Sequence, residues 1–195
     1  MAGRNPSYNL DEVLEKGIYL FWNRGYNAVT IGDIVKETGI NRFSFYEKFG
    51  NKDGFFQASL DTYFDVLTKQ FLQEMNDHGA AGLKAIRHFF KNMSEIAADP
   101  DFPKGCLVIN SLMELSQGQF DLQRRFEAVK NAQYDALLTS LKAEKQKGTL
   151  KTQKPPESLA SYLSDEIMSC LATSRVSRDL ASRLFGYQLE IIEAW

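Results

Sequence analysis

Apolar residues recur along most of this chain at intervals of three and four, the helical period, and nowhere alternate long enough to predict a strand. The first run places Leu10, Val13, Leu14, Gly17, Ile18 and Phe21 on one stripe of a helix over residues 10–24, capped by Asn9 with Glu12 reaching back and ended by Gly25. A second, short run puts Ile31, Ile34 and Val35 on one face. Thr30 ahead of it can cap the free amides, Asp33 three residues on offers the reciprocal contact, and Gly39 suits a left-handed helix end. Ile40 is apolar and plugs the angle that follows, and Asn41 caps a third helix over residues 42–48. Two short helices joined by a glycine-containing turn predict a helix-turn-helix, whose second member enters a DNA major groove.

The spacing then lengthens. Asn51 caps a fourth helix over residues 52–75, about 35 Å long at the helical rise, carrying Phe56, Leu60, Tyr63, Phe64, Leu67 and Phe71. After a break at His78-Gly79, the pattern restarts in Leu83, Ile86, Phe89, Phe90, Met93 and Ile96. It stops at Asp99-Pro100 and Pro103, and resumes over residues 106–115 and again over 119–147. A loop over residues 148–156 precedes two closing helices, traced by Leu159, Leu163, Ile167 and Leu171 and by Leu180, Leu184, Leu189 and Ile192. The expectation is an all-α chain of about nine helices: an N-terminal helix-turn-helix domain over residues 1–50 and a C-terminal helical bundle over 51–195, without repeats.

Phe45 and Phe49, four apart, anchor the third helix and leave Arg42, Phe43, Ser44, Tyr46 and Lys48 to face outward. That mixture of cation, hydroxyl and aromatic suits phosphates, base edges and thymine methyls. Lys52 falls in the first turn of the next helix, where free amides and the helix dipole also favour a phosphate. Any one such residue is ordinarily solvated surface; their clustering in one capped helix-turn-helix carries the inference. With Thr30 and Asn41, these residues are the candidate DNA contacts.

The stretches FWNRGYNAVT, IGDIVKETGI and NRFSFYEKFGNKDGFF resemble the amino-terminal domain of the TetR-type transcriptional regulators. The resemblance covers the first quarter to third of the chain. By position it implies DNA contacts at Thr30, Arg42, Ser44, Tyr46, Lys48 and Lys52, while Phe43 and Glu47 depart from the residues common there, so base preference does not transfer. It also implies a homodimer closed by a four-helix seam of the last two helices from each subunit, with Leu159, Leu163, Ile167, Leu171, Leu180, Leu184 and Ile192 as interface candidates.

Charge argues against a polycationic nucleic-acid binder: the net charge is -2, and residues 1–60 hold seven Lys or Arg against seven Asp or Glu. Arg42, Lys48 and Lys52 against Glu47 leave a small local excess, with Arg4 in a leading arm as an addition. Two copies reading a near-palindrome of double-stranded DNA, one helical turn apart, meet the shortfall. A composition of 44% hydrophobic and 25% charged residues suits a soluble globular chain. No run approaches a membrane span and the N-terminus lacks a signal-peptide core, so a cytoplasmic protein without a membrane partner is expected.

A small-molecule effector would find its place among helices four to eight, with Phe64, Phe71, Phe89, Phe90, Met93, Cys106, Leu107, Asn110, Met113 and Phe126 as candidate lining, although each is more often plain core. Cys106 follows Lys104 and Gly105 and opens a helix, which favours thiolate; the Gly-Cys-Leu element resembles one branch of the family in which cysteines sense electrophiles. A buried structural cysteine is the competing reading. Two cysteines, Cys106 and Cys170, make no disulfide framework. Catalysis with Cys106 as nucleophile and His78 or His88 as base has no supporting motif, and no cofactor or metal is expected. A helical interaction protein without specific DNA binding is the remaining alternative.

Overall fold

Polar side chains at the helix starts cap them much as the pattern predicts. The computed structural model describes residues 8–77 and 82–195. Asn9 Oδ1 accepts from the Asp11 amide at 3.0 Å and opens α1 (Leu10–Arg24), while Glu12 meets the Asn9 side-chain amide at 3.1 Å. Thr30 and Asp33 complete their reciprocal box at the start of α2 (Ile31–Thr38), and Gly39 ends it at φ +75°, where a side chain would be strained. Ile40 is fully buried at the turn. Asn41 opens α3 (Arg42–Phe49), one residue longer than expected, and Asn51 Oδ1 accepts from the Gly54 amide at 2.9 Å beneath α4 (Lys52–Asp77). Arg4 and the expected break at His78-Gly79 lie outside the described residues.

The remaining elements are α5 (Leu83–Ala98), α6 (Leu107–Glu114), α7 (Leu122–Lys147), α8 (Pro156–Val176) and α9 (Arg178–Glu193), so the described residues form nine α-helices. The helix expected from residue 119 starts only at Leu122. Before it, residues 119–121 wind as a 3-10 turn in which Phe120 and Asp121 take φ of 55° and 52°. Left-handed backbone is strained for such residues. It is held because the Phe120 ring packs on Tyr26 and Phe56 at centroid distances of 5.2 and 5.0 Å.

Two hydrophobic cores result. The first joins α1, α2, α3, the first half of α4 and α6, centred on Phe21, Phe45, Phe55 and Phe56, so packing carries this unit past residue 50 into α4. The second joins the far end of α4 with α5, α7, α8 and α9 around Phe71, Ile86, Phe90, Leu137, Leu163 and Phe185. Each buried phenylalanine or leucine contributes about 1.5–3 kcal/mol.

The closing hairpin turns four of the seven expected seam residues inward. Leu159, Leu163, Ile167 and Ile192 are buried inside their own subunit, because α5 and α7 already cover that face of α8 and α9, and Leu171 is partly buried beside them. What stays outside on α9 is Leu180, Tyr187 and Ile191, with Leu184 half-buried between them, plus Val176 at the end of α8. These α9 positions are spaced four, three and four apart, one continuous apolar stripe.

α1 crosses α4 at Gly17, where a Cβ would sit 2.5 Å from Phe55 Cζ and 3.0 Å from Ser59 Oγ. Gly17→Ala is expected to lower unfolding stability by about 1–3 kcal/mol in urea titration, because overpacking against fully buried Phe55 exceeds the ~1 kcal/mol that alanine gains in a helix.

Candidate nucleic-acid interface

α3 is fixed by Phe45 and Phe49 and turns most of its other side chains outward. Phe45 is fully buried against Phe49 and Phe55, with ring centroids at 5.7 and 5.6 Å. Arg42, Phe43, Tyr46, Glu47 and Lys48 are exposed, and Phe43 is 78% accessible, unusual for a phenylalanine without a partner. Asn41 and Ser44 are committed to the helix start: Asn41 Oδ1 accepts from the Ser44 amide at 2.9 Å, and its Nδ2 donates to Ser44 Oγ at 3.1 Å. Thr30 is similarly engaged, its hydroxyl donating to Asp33 Oδ2 at 2.5 Å and accepting from the Asp33 amide at 3.2 Å. That hydroxyl and the Thr30 amide, with Arg24 Nη1 at 3.0 Å, hold the Asp33 carboxyl well below the usual carboxylate range. Arg24 thereby ties the end of α1 to the start of α2.

Lys52 is turned inward. Its ammonium donates to Tyr26 O at 3.1 Å and Val29 O at 3.0 Å and lies 4.1 Å from the Tyr26 ring centroid, which leaves one N–H for any outside anion. Its first task is to clamp the segment between α1 and α2.

The same segment is gripped from the second half of the chain. Glu114, the last residue of α6, accepts from the backbone amides of Tyr26 at 3.0 Å and Asn27 at 2.7 Å, while the Tyr26 hydroxyl donates to Asp53. Burial, with the Asp53 carboxylate beside it, pushes the Tyr26 phenol up to about 12. Sequence reasoning missed Tyr26, Glu114, Arg24 and Phe120. Only Gly25, a visible helix end, marks the place, and nothing local links it to a glutamate 88 residues away.

α6 also borders a cavity of about 600 Å³ between the two cores. Of the expected lining residues, Phe71, Phe89, Met93 and Cys106 face it. Phe90 and Leu107 are close-packed core instead, Phe64 and Phe126 pack on the first core, Met113 is on the surface, and Asn110 donates to Lys104 O at 2.9 Å. Trp22, Tyr63, Phe102 and Gln133 line it unforeseen, as do Ile167 and Leu171 from the supposed seam. Cys106 does precede α6, but it is buried, and burial pushes its thiol up, outweighing the Tyr63 hydroxyl 3.5 Å from Sγ, which favours the structural over the thiolate reading. Cys170 is raised to about 12, first by burial and then by Glu166.

Residues 13–59 match the family model described as bacterial regulatory proteins, tetR family, and residues 82–183 the model of the tetracyclin repressor-like C-terminal domain. The chain is 27% identical over 169 residues to the HTH-type transcriptional repressor ComR of Escherichia coli strain K12, covering 87% of this chain and 78% of that protein. It is 28% identical over 179 residues to the uncharacterized HTH-type transcriptional regulator YezE of Bacillus subtilis, covering 91% and 92%. In fold it is similar to reduced NemR of E. coli, with a TM-score of 0.78 at 18% identity over 93% of both chains. It is equally similar to a cysteine mutant of the TetR family regulator CifR complexed with 26bp operator DNA, with a TM-score of 0.78 at 18% identity over 96% of this chain and 98% of that one.

Glu114→Ala is expected to leave the helices intact while the Tyr26 and Asn27 amides exchange with deuterium at least about tenfold faster, since each loses a charge-assisted acceptor. Unchanged exchange at both amides would show that the carboxylate does not hold them.

Proposed function

The chain belongs to the TetR family of DNA-binding transcriptional regulators, and on that premise we propose that it is a homodimeric repressor that grips a near-palindromic operator through paired α3 helices and releases it when a small molecule enters the cavity. The observation that carries this reading is the outer face of α3, where a large aromatic side chain stands free beside two cations on a helix anchored only from behind. Arg42 and Lys48 suit phosphates or guanine edges, and Phe43 and Tyr46 suit thymine methyls and sugars. Asn41 and Ser44 set the start of α3 and present their remaining donors to the phosphate backbone, while Thr30, both of whose donors are spent on Asp33, fixes the start of α2. Lys52 reaches a phosphate with its third N–H at most.

Two copies are needed because one α3 carries little charge. The α9 stripe of Leu180, Leu184, Tyr187 and Ile191 supports a two-fold seam, since an unpartnered apolar helix face next to its own symmetry mate is the usual way such faces leave water. Across that seam the two α3 helices would stand about 34–36 Å apart, one turn of DNA.

Release requires that an occupied cavity favour a different placement of the reading heads. α6 supports such a link: its Cys106 end borders the cavity and its Glu114 end holds the α1–α2 segment, about 12 Å away along the helix. A coupling of about 1–3 kcal/mol through this strut would change operator affinity about 5- to 150-fold.

Genomic fragments captured by the purified chain supply the operator, and footprinting on it tests the assignment. Arg42→Ala and Phe43→Ala should each weaken protection about tenfold or more with stability within about 0.5 kcal/mol of the parent, because both side chains are exposed. Intact footprints in both variants would remove α3 as the reading element. Leu180→Glu combined with Tyr187→Glu should sediment as a monomer and lose about 100-fold in operator affinity as the second head is uncoupled; a dimer persisting in this variant would place the seam elsewhere.

A further inference from the structure

The cavity carries more information than its size. Its walls are aromatic, with Trp22, Tyr63, Phe71, Phe89 and Phe102 facing inward. Its one lining guanidinium is committed: Arg178 donates to the carbonyls of Asp99 at 2.6 Å, Pro100 at 3.2 Å and Phe102 at 2.5 Å. Among the described residues no lysine lines the space, and the carboxylates Asp11 and Glu15 stand on its exposed rim. An anionic guest would therefore leave water past two negative charges to meet a single guanidinium whose donors are already turned to three carbonyls.

The polar groups inside are accounted for with one exception. The Thr62 hydroxyl donates to Ala58 O at 3.1 Å, the Ser174 hydroxyl donates to Leu171 O at 3.1 Å while accepting from the Gly105 amide at 2.7 Å, and Tyr63 donates to Cys106. Gln133, on α7, is only 4% exposed, lines the cavity, and its Oε1 has no hydrogen-bond partner among the described residues. A buried amide oxygen left unpaired is costly, and nearly all such groups in folded proteins find a donor.

We propose that the cavity takes an uncharged, largely apolar organic molecule bearing a hydroxyl or N–H that donates to Gln133 Oε1, and that it rejects carboxylates. This rests on the reading of the cavity as the effector site and names the chemistry that site selects. Aromatic walls accept the body of the molecule, Gln133 orients its polar end, and the rim turns anions away.

The test uses three molecules of one shape on the full chain: para-phenylphenol, its methyl ether, and the corresponding biphenyl carboxylate. Binding is followed by calorimetry and by the fluorescence of Trp22. The phenol should bind about five- to tenfold more tightly than the ether, the gap expected for one hydrogen bond to a buried acceptor, and the carboxylate should not saturate. In Gln133→Leu the phenol and ether should bind alike. Equal binding of phenol and ether to the parent chain, which needs no variant to fold, overturns the proposal, as does binding of the carboxylate, a preference that survives Gln133→Leu, or no binding by any of the three. Operator affinity with the phenol bound is measured separately. A phenol that binds with the stated preference but leaves DNA affinity unchanged refutes the effector reading and leaves the cavity's chemistry standing.

Discussion

The six residues between α1 and α2 have little to hold them by themselves, and the arrangement of the N-terminal third depends on how they are held. Lys52 fixes two of their carbonyls, Glu114 fixes two of their amides, and the Tyr26 ring is enclosed by Phe21, Phe56 and Phe120. Backbone groups that would otherwise need water are satisfied by charges from two distant helices. α2 starts where this segment ends, and α3 follows α2 through a turn of three residues, so the direction of the exposed α3 face is inherited from the clamp.

This explains the otherwise awkward stretch before α7. A left-handed phenylalanine and a left-handed aspartate in succession are an unusual way to begin a long helix. The backbone tolerates them because the turn delivers the Phe120 ring to Tyr26, adding apolar contact to the same segment that Glu114 holds electrostatically. Both contacts fall within the first core, which thereby reaches from the end of α1 across α6 to the start of α7.

How much of this was legible follows from range. Caps and stops are decided by residues within four positions of each other, so Asn9, Thr30 with Asp33, Gly39, Asn41 and Asn51 could be placed from the chain alone. So could the burial of Phe45, since its helix has few other apolar anchors. Lys52 looked free because its partners, two carbonyls in an irregular loop, leave no pattern in the sequence. The expected seam residues were hard to place for a different reason. The strongest leucine and isoleucine positions of α8 and α9 mark whichever face is most deeply buried, and within a bundle that face belongs to the subunit itself. The proposed α9 contact is the second-best stripe, mixed with a tyrosine, which periodicity alone ranks as surface. The cavity was half legible: Phe71, Phe89 and Met93 announced themselves by spacing, whereas Trp22 and Gln133 approach from helices whose apolar faces were assigned elsewhere.

Glu47 stands exposed on α3 between Arg42 and Lys48, and the Lys52 ammonium is turned to the loop, so the outer face of α3 carries little net charge. Affinity for arbitrary sequence grows with the number of phosphates neutralised. On the proposed reading, such a head would be held weakly by arbitrary sequence among a chromosome's many competing positions, so discrimination would come from the fit of paired heads to one site rather than from charge.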